Sequence, residues 1–149
     1  MDRIYLDACC LNRPFDDQTQ ERIRLESEAV LLILNRLQQH QAEWVGSGVL
    51  DFELRQTPDP ERRRRVLALA QFATSSVVPE AIDFARAKEL RALGFKAVDA
   101  LHIACAERAR CNVLLTTDDP MLRAAAKSAA GLGIRVANPT DWLREVQSA

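Results

Sequence analysis

Four acidic residues, Asp7, Glu53, Asp99 and Asp118, lie far apart in the chain but at places where a fold could bring them together. Asp7 closes the short apolar run Arg3-Ile4-Tyr5-Leu6, and Asp118 follows the apolar run Val113-Leu114-Leu115-Thr116. Glu53 and Asp99 sit within apolar-rich helical stretches. Converging carboxylates repel one another, so each is protonated or raised in pKa unless a cation sits among them. Hard oxygen donors suit Mg²⁺ or Mn²⁺. A pair of such ions can cleave a phosphodiester, one activating water and the other stabilising the leaving oxygen. That chemistry needs no His or Cys nucleophile, which suits a chain whose only histidines are His40 and His102.

Each acid also has a plainer reading. An aspartate at a helix start is often only a cap, the main rival for Asp99 and Asp118. In Thr117-Asp118-Asp119-Pro120 the position before proline belongs to Asp119, which leaves Asp118 with no capping task. Asp7 ends an apolar strand, where a carboxylate is partly buried and a turn role less comfortable. Glu53 taken alone reads as a solvated helix residue.

The elements that must position these acids alternate between short strands and helices. Arg3 to Asp7 reads as a first strand, followed by a loop over Asn12 to Asp17. Ile23, Val30, Ile33, Leu34 and Leu37 share one face of a helix from about Thr19 to Gln41. Trp44 to Ser47 reads as a second strand, and Val49 to Arg55 as a helix carrying Glu53. Asp59 and Pro60 cap and open a helix running to about Thr74. Ser76 to Val78 reads as a third strand, and Pro79 opens a helix that ends near Gly94. Val98 to Arg110 is a helix with Asp99 in its first turn. Asn112 to Thr116 is a fourth strand, with a helix from Asp119-Pro120 to about Ala130. Ile134 to Ala137 is a fifth strand, and Asn138-Pro139 starts a last helix containing Trp142. This alternation predicts an α/β/α sandwich around a mainly parallel five-stranded sheet. In such sheets ligands bind beyond the carboxyl ends of the strands, where strand order reverses.

The 149 residues suit one domain, and no repeat or linker divides them. A formal net charge of -1 supplies no general attraction for nucleic acid, so such binding needs local patches or bound metal. No run reads as a signal peptide or a membrane span, which predicts a cytoplasmic protein. Cys9, Cys10, Cys105 and Cys111 form no CxxC pair and read as small buried thiols in a reducing compartment. His102 and Cys105, one helical turn apart, would need further soft ligands to hold zinc.

The segments Ile4-Tyr5-Leu6-Asp7-Ala8-Cys9, Gly46-Ser47-Gly48-Val49-Leu50-Asp51-Phe52-Glu53, Val98-Asp99-Ala100-Leu101-His102-Ile103-Ala104 and Leu114-Leu115-Thr116-Thr117-Asp118, in that order, resemble a PIN domain, the nuclease fold of VapC-type toxins. The run Asn12-Arg13-Pro14-Phe15-Asp16-Asp17 after the first acid resembles one PIN subgroup in particular. The resemblance implies a five-stranded parallel sheet, Mg²⁺- or Mn²⁺-dependent cleavage of single-stranded RNA, and a homodimer. It maps the catalytic and metal-binding acids onto Asp7, Glu53, Asp99 and Asp118, with Thr116 a supporting hydroxyl and Ser47 a weaker one. Asp119 is a second choice at the metal site. Toxins of this family usually have a small antitoxin that blocks the cleft.

Among the basic residues, Arg62 to Arg65 point around most of a helix and read as a solvated, salt-bridged surface. Arg13 lies close behind Asp7. It could reach a substrate phosphate or pair with Asp16 or Asp17. Trp44, Trp142 and most phenylalanines sit beside apolar neighbours and read as core rather than base-stacking platforms. Two other functions fit an α/β chain of this kind. One is a catalytically inactive PIN-fold domain that binds RNA or a protein partner. The other is a phosphoryl-accepting receiver-like domain, disfavoured because Ala8, Cys9 and Cys10 follow Asp7 and no lysine follows the fifth strand.

Overall fold

The computed structural model describes residues 1–148. Five parallel strands form one sheet in the order β3-β2-β1-β4-β5: β1 (Arg3–Leu6), β2 (Glu43–Ser47), β3 (Ser75–Val77), β4 (Val113–Leu115) and β5 (Arg135–Ala137). Successive residues of a strand face opposite sides of the sheet, yet Ile4, Tyr5 and Leu6 are all fully buried. Both faces of β1 are therefore covered, as expected where helical crossovers pack on each side of a parallel sheet. Tyr5 lies in register with Val45 on one side and Leu114 on the other, so β1 is the centre of the sheet. The edge strand β3 exposes Ser75 and Ser76, which tolerate water where β1 could not.

The chain winds from β1 outward through β2 to β3, then returns to the other side of β1 for β4 and β5. Strand order thus reverses between β1 and β4, and a crevice opens beyond their carboxyl ends. The intervening helices are α1 (Ala8–Asn12), α2 (Glu21–Gln38), α3 (Gly48–Arg55), α4 (Pro60–Ala70), α5 (Ala81–Ala92), α6 (Ala97–Arg108), α7 (Asp119–Lys127) and α8 (Pro139–Ser148). Helix α2 buries Val30, Ile33, Leu34 and Leu37 along one stripe and packs against α8, which buries Trp142 and Leu143. Glu26, also on that face, is 2% exposed. Its carboxylate accepts from Arg13, Arg22 and Asn138, so the buried charge is paired.

Several expected boundaries shift for local reasons. The loop expected over 12–17 contains a 3-10 turn at Arg13–Phe15, with Pro14 supplying its fixed φ. Pro79 does not open α5. Glu80 is the cap, and its backbone N–H donates to Asp83 in a reciprocal capping box. Helix α7 ends at Lys127 and gives way to a 3-10 turn at Ala129–Gly131. Three of the phenylalanines expected in the core, Phe52, Phe72 and Phe84, are more than half exposed. Neighbouring apolar residues did not place them, because on helices such as α3 and α5 sequence neighbours face different directions.

Helices α5 and α6 pack closely as an antiparallel pair joined by a tight turn. Gly94 takes φ +108 there. Its N–H donates to Arg91 and the N–H of Phe95 donates to Leu90, the two bonds of a Schellman ending, with Phe95 folded into the core. This turn sets where α6 begins and so where Asp99 lies. A Cβ at Gly94 would meet nothing within 4 Å, so substitution acts through backbone strain alone. Gly94→Ala is expected to lower stability by roughly 1–3 kcal/mol in urea unfolding.

Candidate metal centre

The crevice at the sheet reversal forms a cavity of about 370 Å³ lined by Asp7, Glu53, Asp99 and Asp118 together with Cys9, Lys96 and Val98. Four elements deliver the acids: the end of β1, helix α3, the first turn of α6, and the cap of α7. The acids lie far apart in sequence, and the reversal at β1 and β4 brings Asp7 and Asp118 to the same end of the sheet.

Asp7 is held from several directions. Its N–H continues the sheet by donating to Leu115 at 3.0 Å. Its Oδ1 accepts from the N–H of Ala8 at 2.7 Å, so the carboxylate also caps α1. Its Oδ2 accepts from the Thr116 hydroxyl at 2.9 Å. The same Thr116 oxygen accepts the N–H of Asp118 at 3.1 Å. One hydroxyl therefore ties the first acid to the fourth across the reversal. Cys9 adds its thiol beside this junction, 3.2 Å from the Thr116 oxygen.

Asp118 is the cap of α7, contrary to the expectation that Asp119 would be. Its Oδ2 accepts from the N–H of Met121 at 3.0 Å, and Asp119 takes the first helical position with Pro120 second. Proline is tolerated at either position, because neither N–H has a partner within the helix. Asp119 turns instead to Arg22, whose guanidinium reaches both of its oxygens at 2.7 and 2.8 Å. Arg13 is engaged by Glu26 and Asp16. Neither Asp119 nor Arg13 lines the cavity.

His102, a possible zinc ligand with Cys105 on spacing alone, lies instead against two of the acids. It is fully buried, with Nε2 2.7 Å from Glu53 Oε1 and 3.6 Å from Asp7 Oδ1. Its Nδ1 meets the Tyr5 hydroxyl at 2.5 Å, and that hydroxyl meets Ser47 Oγ at 2.6 Å. Both ring nitrogens are thus occupied, which leaves none for a site with Cys105. A signal for His102 was present: three residues after Asp99 on one helix, it must share that residue's face. Lys96 and Cys9 had no comparable signal, because their arrival at the cavity depends on the turn before α6 and on α1.

The charges conflict. Burial and the neighbouring Asp7 and Asp118 push the Asp99 carboxyl up to about 6. Burial would push the His102 imidazole down, but the hydrogen bond to Glu53 and the charges of Asp7, Glu53 and Asp99 hold it above its ordinary value. Burial also holds the Tyr5 phenol well above its ordinary range. Among the described residues the Asp99 carboxylate makes neither a hydrogen bond nor an ion pair. The carboxylates fit a hard divalent cation: an oxygen of Asp7 and one of Glu53 lie within 4.8 Å of each other, and Asp99 and Asp118 line the same cavity.

The sequence from residue 4 to residue 127 matches the model of the PIN domain. The chain belongs to the PIN domain family. The match spans β1 to α7 and includes all four acids. PIN domains are generally nucleases. The fold is similar to that of a chain in the crystal structure of VapBC2 from Rickettsia felis bound to a DNA fragment from their promoter, with 13% identity and a TM-score of 0.57, covering 91% of this chain and 98% of that one. No curated protein matches the chain in sequence.

Two outcomes follow for this PIN domain without metal. Thr116→Val leaves Asp7 Oδ2 and the Asp118 N–H without their shared partner, and unfolding is expected to show a loss of about 1–3 kcal/mol. Asp99 binds more protons folded than unfolded, since its folded pKa of about 6 exceeds the ordinary value of about 3.9. Its unfavourable contribution is therefore absent below about pH 4 and grows as pH rises to about 6. Asp99→Asn is expected to match the parent in stability at the low end of this range and exceed it at neutral pH. Equal stabilities across the range would contradict the charge conflict.

Proposed function

We propose that this PIN domain is a metal-dependent endoribonuclease and the toxin of a type II toxin–antitoxin pair. The observation that supports the reading best is the meeting of Asp7, Glu53, Asp99 and Asp118 on one cavity at the sheet reversal. In this reading the four acids hold Mg²⁺ or Mn²⁺. The chemistry such ions supply is activation of water and stabilisation of the leaving oxygen. Thr116 keeps Asp7 and Asp118 aimed at the cavity. Lys96, at its wall, offers a positive charge to a backbone phosphate, and a net charge near zero leaves the rest of RNA binding to such local groups.

An antitoxin is proposed as the protein that covers the cleft, with the fold likeness to VapBC2 as support. The exposed apolar side chain of Val98, at the cavity, suits such a contact. A homodimer belongs to the same proposal. Among the described residues no helix is long and apolar enough to cross a membrane.

The test is cleavage of single-stranded and structured RNA with Mg²⁺ or Mn²⁺. Products with 5′-phosphate and 3′-hydroxyl ends are expected, because the attacking water makes no use of the 2′-hydroxyl. EDTA should abolish cleavage, and Asp7→Asn should lower it by at least the roughly 100-fold that loss of an outer metal-site partner can cause. Cleavage that survives both would overturn the metal reading. RNA or partner binding with no cleavage at any metal concentration would instead favour a binding domain that has kept the fold.

A further inference from the structure

A buried chain of hydrogen bonds runs from helix α3 through the sheet to α6 and back to α3. The N–H of Leu50 donates to Ser47 Oγ at 3.0 Å, which caps α3. Ser47 still has its own proton to place, and its partner is the Tyr5 oxygen at 2.6 Å. Tyr5, accepting there, donates its proton to Nδ1 of His102 at 2.5 Å. A neutral ring that accepts at Nδ1 carries its proton on Nε2. That nitrogen faces Glu53 Oε1 at 2.7 Å. The polarity of the whole chain therefore follows from one backbone N–H and ends on a carboxylate of the cavity.

We propose that His102 is a positioning residue: its Nε2–H, dictated by Tyr5 and Ser47, holds the Glu53 carboxylate toward the cavity, and the ring is not itself a cation ligand. This rests on the metal-dependent reading above. The alternative is that Nε2 binds the cation directly, since it lies within 4.8 Å of oxygens of both Asp7 and Glu53. That arrangement needs a bare Nε2, a proton on Nδ1 donated to Tyr5, and Tyr5 donating to Ser47. Ser47 Oγ would then accept from both Leu50 and Tyr5, and its own buried proton would have no acceptor among its observed partners. Access points the same way, because His102 is fully buried while the Glu53 side chain is 39% exposed. Glu53 has two tethers to the same hydroxyl. Ser47 caps the helix that carries Glu53, and through Tyr5 and His102 it also reaches the carboxylate. A carboxylate at the end of a flexible side chain gains most from such a tether, because its rotamer freedom is otherwise lost on metal binding.

The test is the two-bond ¹H–¹⁵N NMR spectrum of the histidine rings in the full chain, with and without saturating Mg²⁺, over a pH series raised until the His102 ring shows the shifts of a neutral imidazole. His40→Gln assigns the two rings. The proposal expects the His102 proton on Nε2 and a bare Nδ1 in both states. It also expects Tyr5→Phe to lose this single tautomer and to weaken Mg²⁺ binding, read by calorimetry, by roughly 10- to 100-fold while staying folded. His102→Gln, which retains an N–H donor, should recover part of the affinity that His102→Leu loses. A bare Nε2 in the Mg²⁺ form would overturn the proposal, as would a Tyr5→Phe protein with unchanged tautomer and affinity, which would leave Tyr5 and His102 as packing only. Absence of Mg²⁺ binding by the parent chain would instead defeat the metal-dependent reading on which the proposal stands.

Discussion

The structure is organised around a repulsion. Carboxylates from the ends of β1 and β4 and from two helices are brought to one cavity, where burial and mutual charge push the pKa of Asp99 up to about 6. A fold gains nothing from such a cluster by itself, since each added charge makes the others costlier. What makes the arrangement tolerable is the partnering of the other acids. Asp7 is satisfied by Ala8 and Thr116, Asp118 by Met121, and Glu53 by His102. Asp99 alone has no partner among the described residues, and a cation is the partner its chemistry asks for.

The surrounding elements follow from that need. The central strand β1 must be buried on both faces to bring Asp7 to the floor of the crevice, which accounts for its unbroken apolar run. The Schellman turn at Gly94 places α6 so that Asp99 and His102 present one face. Thr116 joins the two halves of the sheet at their point of reversal, and Ser47 does the corresponding work for α3. Small hydroxyls suit these positions because each can accept one hydrogen bond and donate another within a few ångströms. The arginines are spent mainly on structure: Arg13 and Arg22 neutralise the buried Glu26, and Arg62 pairs with Asp16.

Much of this was legible in the amino-acid sequence. Strand-length apolar runs and the caps at Asp59-Pro60 and Asn138-Pro139 marked the elements, and their alternation implied a parallel sheet. Asp7 stood out because an acid ending an apolar strand is costly without a purpose. The errors have common causes. Proline is acceptable at the first or second helical position, so Asp118 and Asp119 could not be told apart as caps by spacing alone. Burial of phenylalanine depends on which way a helix faces, a tertiary property. The tie between His102 and Tyr5 spans most of the chain and requires β1 and α6 to be neighbours. Glu53 looked like a solvated helix residue for the same reason, since the partner that holds it is supplied by another helix.

Thermal unfolding against Mn²⁺ concentration at neutral pH separates a cation site from a cluster of merely repelling acids. A cation that binds only the folded acids raises the transition temperature in proportion to its binding. A progressive rise is expected for the parent chain. For Asp99→Asn a higher starting stability without metal and a much smaller gain with it are expected, because the substitution removes both the repulsion and a proposed ligand. A parent chain indifferent to Mn²⁺ and to Mg²⁺, with Asp99→Asn no more stable than it in their absence, would mean that the four acids neither repel one another nor hold a cation.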